Sequence, residues 1–219
     1  MTELQQYLRS YMGVSAEDMD ALTSYFYSET LEKGGFFLKR GRICNKMSFH
    51  RSGLIRVYAP HGEKEVTQWI SFKGNLITDL DGLLRDQPAL FEMRALTECE
   101  LYTIDKKDYL SLSRTIPRWP ELERLLLARC FRFMEIRLFS LLSMSAEERY
   151  QYLQDQHPEL FNQVPLKYLA SMMGMTPESL SRIRRLSMEA GADKTAADGQ
   201  HPGADRTTAD GQHPPAVRD

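Results

Sequence analysis

After Pro117 and Pro120 the chain enters an apolar pattern that runs from Glu121 to about Met144 without a glycine or proline. About 24 residues at ~1.5 Å each make a helix of ~36 Å. Leu122, Leu125, Leu126, Arg129, Phe133, Ile136 and Phe139 fall near one broad stripe of it. A helix of that length and apolar width wants a partner, and its arginines keep the rim in water. Leu122, Leu125, Leu126, Phe133 and Ile136 are expected to form a dimer helix, because in water they would make a large apolar patch. The plain alternative is that the helix packs only on its own domain.

The chain on either side changes period. Residues 3–29 read as helical: Leu4, Tyr7, Leu8 and Tyr11 follow helical spacing, and Ser15 with Glu17 and Asp18 looks like a fresh N-cap. Met19, Leu22 and Phe26 continue that second helix. Residues 31–104 are punctuated by Gly34-Gly35, Gly41, Gly53, Gly62, Gly74 and Gly82. Between the turns lie the strand-like runs Phe36–Leu38, Met47–His50, Leu54–Tyr58, Glu65–Ile70 and Glu100–Ile104. Turns at intervals of ~8–12 residues predict a sandwich or barrel. A short helix is predicted from Asp105. Ser145 followed at the third position by Glu148 is a capping-box spacing that opens a helix to Gln156. Residues 162–165 read as an extended link.

Composition removes several function classes. Lys plus Arg is 28 against 30 for Asp plus Glu, a formal charge of −2, which excludes a uniformly basic nucleic-acid coat but not a local basic patch. Apolar runs are far shorter than the ~20 residues of a membrane span, and the polar start lacks a signal-peptide pattern, so a cytoplasmic location with no membrane partner is expected. Cys44, Cys99 and Cys130 are scattered and odd in number, so reduced thiols are expected rather than disulfides, a metal or an iron–sulfur cluster. No cofactor or enzymatic motif is present: Gly-x-Ser-x-Gly, the P-loop and Gly-x-Gly-x-x-Gly are absent, and His50 and His61 lack a metal-barrel spacing. The last stretch repeats twelve residues, Gly191–Pro202 and Gly203–Pro214, differing only at Lys194/Arg206 and Ala196/Thr208. It holds almost no large apolar residue, so residues 189–219 are expected to be a disordered tail.

The segment from Val164 to Arg185 carries the sharpest signal. Leu169 and Ala170 suit the inner face of one helix, Gly174 a left-handed turn, and Met175 a buried place between helices. Thr176 and Pro177 suit the cap and first position of a second helix whose Leu180 and Ile183 face inward. Two helices joined by a short glycine-containing turn make a helix-turn-helix. The outward face then presents Glu178, Ser179, Arg182 and Arg185. Arg182 suits guanine O6 and N7, Glu178 suits cytosine N4, and Ser179 is permissive. Lys167, Thr176, Arg184 and Arg185 suit phosphates. Residues 165–190 hold four basic and two acidic side chains, a locally basic end in an acidic chain.

In this order, helical start, glycine-punctuated strands, long helix and helix-turn-helix, residues 1–187 resemble the Crp/Fnr-type bacterial transcription regulators. The stretches Ala170–Ile183 and Met47–Tyr58 carry the resemblance most specifically. It implies an α+β fold: a jelly-roll-like, cyclic-nucleotide-binding-like β-roll with flanking helices (residues 1–116), a long dimerisation helix (117–144) and a winged helix-turn-helix (145–188). The implied function is a sequence-specific DNA-binding homodimer, with RNA polymerase as a candidate further partner and an unidentified small-molecule effector. The alternative is a ligand-sensing or scaffold protein of the same fold that does not bind DNA.

The family's phosphate cassette is altered. Thr78-Asp79-Leu80 stands where Gly-Glu-Leu is expected, and Ala89-Leu90 where Arg-Ser is expected. The pocket candidates Thr78, Asp79, Ala89 and Leu90 thus keep a shortened acid but lose the cation and hydroxyl that neutralise a cyclic phosphate. Arg85 and Arg94 are the nearby replacements. Tight cyclic AMP binding is not expected, since the buried phosphate would be uncompensated.

Overall fold

The computed structural model describes the backbone of residues 1–197 and the side chains of residues 1–189. Helix α1 (Glu3–Met12) opens on a reciprocal cap between Thr2 and Gln5 and stops at left-handed Gly13. Ser15 caps α2 (Ala16–Thr23) by accepting from the Asp18 N–H. The helix expected to run on to residue 29 ends there. Tyr27–Leu31 is instead strand β1, paired along its whole length with the strand Cys99–Asp105. That ladder satisfies backbone groups that an isolated helical turn would leave open.

Strands β2 (Phe36–Leu38), β3 (Lys46–Ser52), β4 (Ile55–His61), β5 (Lys64–Ser71), β6 (Leu76–Ile77), β7 (Glu92–Ala95) and β8 (Cys99–Asp105) follow, with the short helix α3 (Leu80–Arg85) between β6 and β7. They form two four-stranded sheets, β1-β8-β3-β6 and β2-β7-β4-β5. Period-two alternation sends Ile55, Val57, Met93, Ala95 and Leu101 into the space between the sheets, where Phe37, Leu38 and Ile77 join them. Gly53 turns β3 into β4 at φ +87°, and a Cβ there would collide with the backbone of Glu98 and Cys99.

The outer face of the first sheet is covered by helices. Met47, Phe49 and Ile104 meet Leu4, Leu8 and Met12 of α1, Tyr109 and Leu112 of α4 (Lys106–Thr115), and Trp119, Leu122 and Leu126 of α5 (Trp119–Ser143). This divides the expected dimer stripe. Leu122 and Leu126 are wholly buried inside their own chain, and Phe133 stands edge-on to Trp69 with ring centroids 4.8 Å apart. Ile136 is half-buried, and Leu125 stays exposed. Because the apolar residues of α5 are not confined to one stripe, a second face carries Phe131, Met134, Leu138 and Leu142 into solvent.

The C-terminal helices are α6 (Ala146–Gln156), α7 (Leu160–Gln163), α8 (Leu166–Met172) and α9 (Pro177–Ala197). Ser145 and Glu148 form the expected capping box. Of the link expected at residues 162–165, the first half belongs to α7, whose Leu160 and Phe161 are drawn into the core, and Val164 is extended as expected. That core is shared between units: Ile70 of β5, with Leu54 and Phe72 at the ends of β4 and β5, lies in one cluster with Leu160, Leu169, Met172, Leu180 and Ile183. Helix α9 continues to Ala197, past the expected boundary at residue 188, because alanines and Glu189 favour helix over the intervening Gly191. From residue 198 the repeats lie outside the described residues. No strand follows β8 among the described residues, so the wing implied by the resemblance is not among the described elements. No helix among them is long and apolar enough to cross a membrane.

Candidate functional site

Helix α9 is placed from both ends of the turn that precedes it. The last carbonyls of α8 are held by two cations: Arg137 Nη2 donates to Met172 O at 2.8 Å, and Arg149 Nε donates to Met173 O at 2.8 Å. Cations at a helix C-terminus satisfy orphan carbonyls and oppose the helix dipole. Burial pulls the Arg137 guanidinium down to about 10, still charged at neutral pH. Gly174 then takes φ +67° and turns the chain. Thr176 caps α9, its Oγ1 accepting from the Ser179 N–H at 3.2 Å. Leu180 and Ile183 are buried against α8, which fixes the roll of α9 about its axis, and Met175 is half-buried beside them.

Of the outward residues expected from sequence, Glu178, Arg182 and Arg185 line one shallow groove with Pro177 and Ser181. Positions 178, 181, 182 and 185 follow the i, i+3, i+4, i+7 spacing of a single helix face. Ser181, not singled out from sequence, also lines this groove, whereas Ser179 is half-buried and its hydroxyl accepts from Thr176 Oγ1 at 3.1 Å. The signal that finds Ser181 is that same spacing, counted from Glu178 rather than from the cap. Arg184 lies over the Phe161 ring at 5.8 Å, flanking a second groove with Arg185 and Leu166. Exposed Lys167 rests over Tyr168 at 5.1 Å. The Glu178 carboxyl is held below its usual range by its own backbone N–H, then by Thr176, with a smaller pull from the charge of Lys64 on the β4–β5 hairpin. Lys64 had no motif to mark it.

Sequence reasoning also missed Arg56. It points from β4 toward α8 and is only 4% exposed. Its guanidinium lies 4.1 Å from the Tyr58 ring and 3.8 Å from the Tyr168 ring, and it donates to Thr67 Oγ1 at 2.9 Å and to Glu65 at 2.6 Å. Beside it the Thr67 N–H donates to Ser171 Oγ at 2.9 Å. The helix-turn-helix is thereby fastened to the edge of the second sheet.

The polar groups of the candidate pocket residues are engaged within the chain. Thr78 Oγ1 donates to Lys46 O at 3.0 Å. Asp79 is the N-cap of α3, accepting from the Gly82 N–H at 2.6 Å, so the surviving acid serves a helix start. The Ala89 N–H donates to Arg42 O at 2.9 Å, and Leu90 is exposed. Arg85 pairs with Asp81 at 2.5 Å, and Arg94 donates to Gly34 O at 3.0 Å. Inside the roll, His50 is fully buried, and among the described residues neither ring nitrogen has a hydrogen-bond partner. Desolvation pushes its pKa down to about 4, against a partial opposing pull from the Ser52 and Gly53 backbone.

Comparison with known proteins agrees with this architecture. Residues 28–115 match the cyclic nucleotide-binding domain family. Over 187 residues the chain is 27% identical to the cyclic AMP receptor protein of Thermus thermophilus, covering 83% of this chain and 86% of that protein. The crystal structure of the Thermus thermophilus catabolite activator protein aligns at 25% identity and TM-score 0.51, over 84% of this chain and 88% of its own. FixK2 of Bradyrhizobium japonicum has the same fold at TM-score 0.64, with 14% identity over 76% of this chain and 86% of that one. Sequence match and element order point the same way: residues 28–115 form a cyclic nucleotide-binding domain, and the chain as a whole is similar to regulators of the Crp/Fnr type.

Proposed function

We propose that the chain is a homodimeric, sequence-specific DNA-binding regulator that reads the major groove with α9. The observation that carries this reading is the stripe of Glu178, Ser181, Arg182 and Arg185, held outward by the Thr176 cap and by burial of Leu180 and Ile183. Arg182 is assigned to a guanine edge and Glu178 to a cytosine amine. Lys167, Thr176, Arg184 and Arg185 are assigned to phosphates. Ser179 belongs to the cap. In this reading residues 1–116 are the sensor, 117–144 the dimerisation helix and 145–188 the DNA-binding unit.

The dimer face is the side of α5 that its own core leaves bare: Phe131, Met134, Leu138 and Leu142. Joining two such faces removes an apolar patch from water and presents two α9 helices to a palindromic site. The sensor is proposed to lack a cyclic-nucleotide phosphate clamp, because Asp79 and the Ala89 N–H are engaged within the chain. RNA polymerase is proposed as the further partner and the cytoplasm as the location on the family reading alone.

Selection of duplexes from a random pool, followed by anisotropy titration, tests the proposal. Arg182→Ala is expected to cost roughly 1–3 kcal/mol at the selected site and to relax one base pair. Equal loss on selected and random DNA would make Arg182 a phosphate contact, and failure to select any sequence would overturn the DNA-reading function.

A further inference from the structure

The β4–β5 hairpin reaches beyond the sheet it belongs to. Strand β7 pairs with β4 only over Ile55–Tyr58, whereas the β4–β5 ladder continues through Ala59↔Val66 and Pro60↔Glu65 to His61↔Lys64. Residues 60–66 are all exposed, so this two-stranded ribbon buries little surface and contributes little to the core. Its root, by contrast, is fixed firmly to the helix-turn-helix. The Thr67 N–H bonds to Ser171 of α8, and Arg56 is stacked between Tyr58 of the ribbon's root and Tyr168 of α8. The ribbon therefore has its direction set by the helix that leads into α9.

Among Glu63, Lys64 and Glu65 at its tip, Lys64 is the group that suits a polyanion lying along α9. Lys64 is exposed, and its charge reaches the outward-facing Glu178 carboxylate near the start of α9. His61 is directly opposite Lys64 in the ladder. Glu65 is paired with Arg56, and the remaining acid, Glu63, sits in the turn itself. A two-stranded ribbon beside a recognition helix is an element that can follow a DNA backbone, and a lysine at its tip supplies the point charge for one phosphate.

We propose that residues 59–66 act as the wing of the DNA-binding unit, with Lys64 holding a backbone phosphate beside the groove entered by α9. This rests on the DNA-reading function proposed above and adds to it a contact from the sensor domain. Binding of DNA and the state of the sensor would then meet in one hairpin.

The test uses the full-length chain, a selected duplex and a random duplex of equal length. Lys64→Gln is expected to weaken binding to both by the same factor, roughly threefold to tenfold, and to lower the slope of log K against log salt by about 1.8, one phosphate contact from each protomer of the dimer. Lys64→Glu is expected to weaken both further. Hydroxyl-radical footprints should lose protection of a backbone position flanking the selected site in Lys64→Gln and keep it in Arg182→Ala. Unchanged affinity and slope in Lys64→Gln would overturn the wing, as would tighter binding, which would make the hairpin an obstruction. Loss confined to the selected duplex would replace the phosphate role by base contact and also overturn it. A wild-type chain that binds neither duplex would overturn the DNA-reading function itself, whereas wild-type binding with Lys64 silent overturns the wing alone.

Discussion

Replacing Arg56 by alanine removes the cation that joins the sensor sheet to α8. Each of its two ring contacts, at 3.8 and 4.1 Å, is worth about 1–2 kcal/mol in a desolvated setting. The charged hydrogen bond to Thr67 Oγ1 adds about 1.5–3 kcal/mol. Glu65 adds little, since its side chain is 54% exposed and an ion pair open to solvent is worth under ~1 kcal/mol. Against these stands the cost of burying a guanidinium, which the alanine relieves. The net loss is expected to be about 2–4 kcal/mol. Arg56→Lys should recover only part of it, because an ammonium does not stack as a plane between two rings. Urea unfolding gives the global value, and amide exchange locates it: protection should fall in α8 and at Thr67 before it falls in β3 or β8. A loss below ~0.5 kcal/mol with α8 exchange unchanged would refute the argument that Arg56 fastens the two units.

The remaining expectations address the pocket, the dimer and the acid limb. Calorimetry with cyclic AMP should give no tight binding, and micromolar or better affinity would mean that Asp79 and the Ala89 N–H are released on ligand entry. Leu138→Glu, which alters the exposed face of α5, should give a monomer by sedimentation at micromolar concentration, while Leu122→Ala should cost about 2–5 kcal/mol of fold stability and leave the dimer intact. His50 binds a proton more weakly folded than unfolded, so its contribution to stability is full above ~6.5 and is lost as pH falls toward about 4. That loss is on the order of 3 kcal/mol, and His50→Gln should flatten the acid limb of a urea-midpoint profile. An unchanged limb would count against neutral burial of this ring.

Elements with a strong period were legible in the residues. The strands after Gly35, Gly53 and Gly62 are rich in aromatic and β-branched residues and bounded by turns, and Thr176-Pro177 marks the start of α9 from sequence alone. Short elements were not: β6 has two residues, and α3 rests on Asp79, which reads equally well as a ligand acid until its partner is seen to be the Gly82 N–H. Nor were features that require contacts distant in sequence. Arg56 looks like any strand arginine until Tyr168 of α8 closes over it. The apolar residues of α5 announce that the helix is covered, yet only the packing of α1 decides that Leu122 and Leu126 are covered from within and Phe131 and Leu138 are not. Ser179 and Ser181 differ by two positions, and the choice between them turns on one hydroxyl engaged by Thr176.

The cluster in which Ile70 of β5, with Leu54 and Phe72 at the ends of β4 and β5, meets Leu169, Met172, Leu180 and Ile183 of the helix-turn-helix has a calorimetric consequence. Neither unit owns a complete apolar interior at that boundary, so heat should melt both in one transition rather than two. Chain cleavage near Met144 would leave Ile70 and Phe72 bare on one fragment and Met172 and Ile183 bare on the other. Both fragments should then bind apolar dye and lose sharp melting, even where each retains its helices and strands.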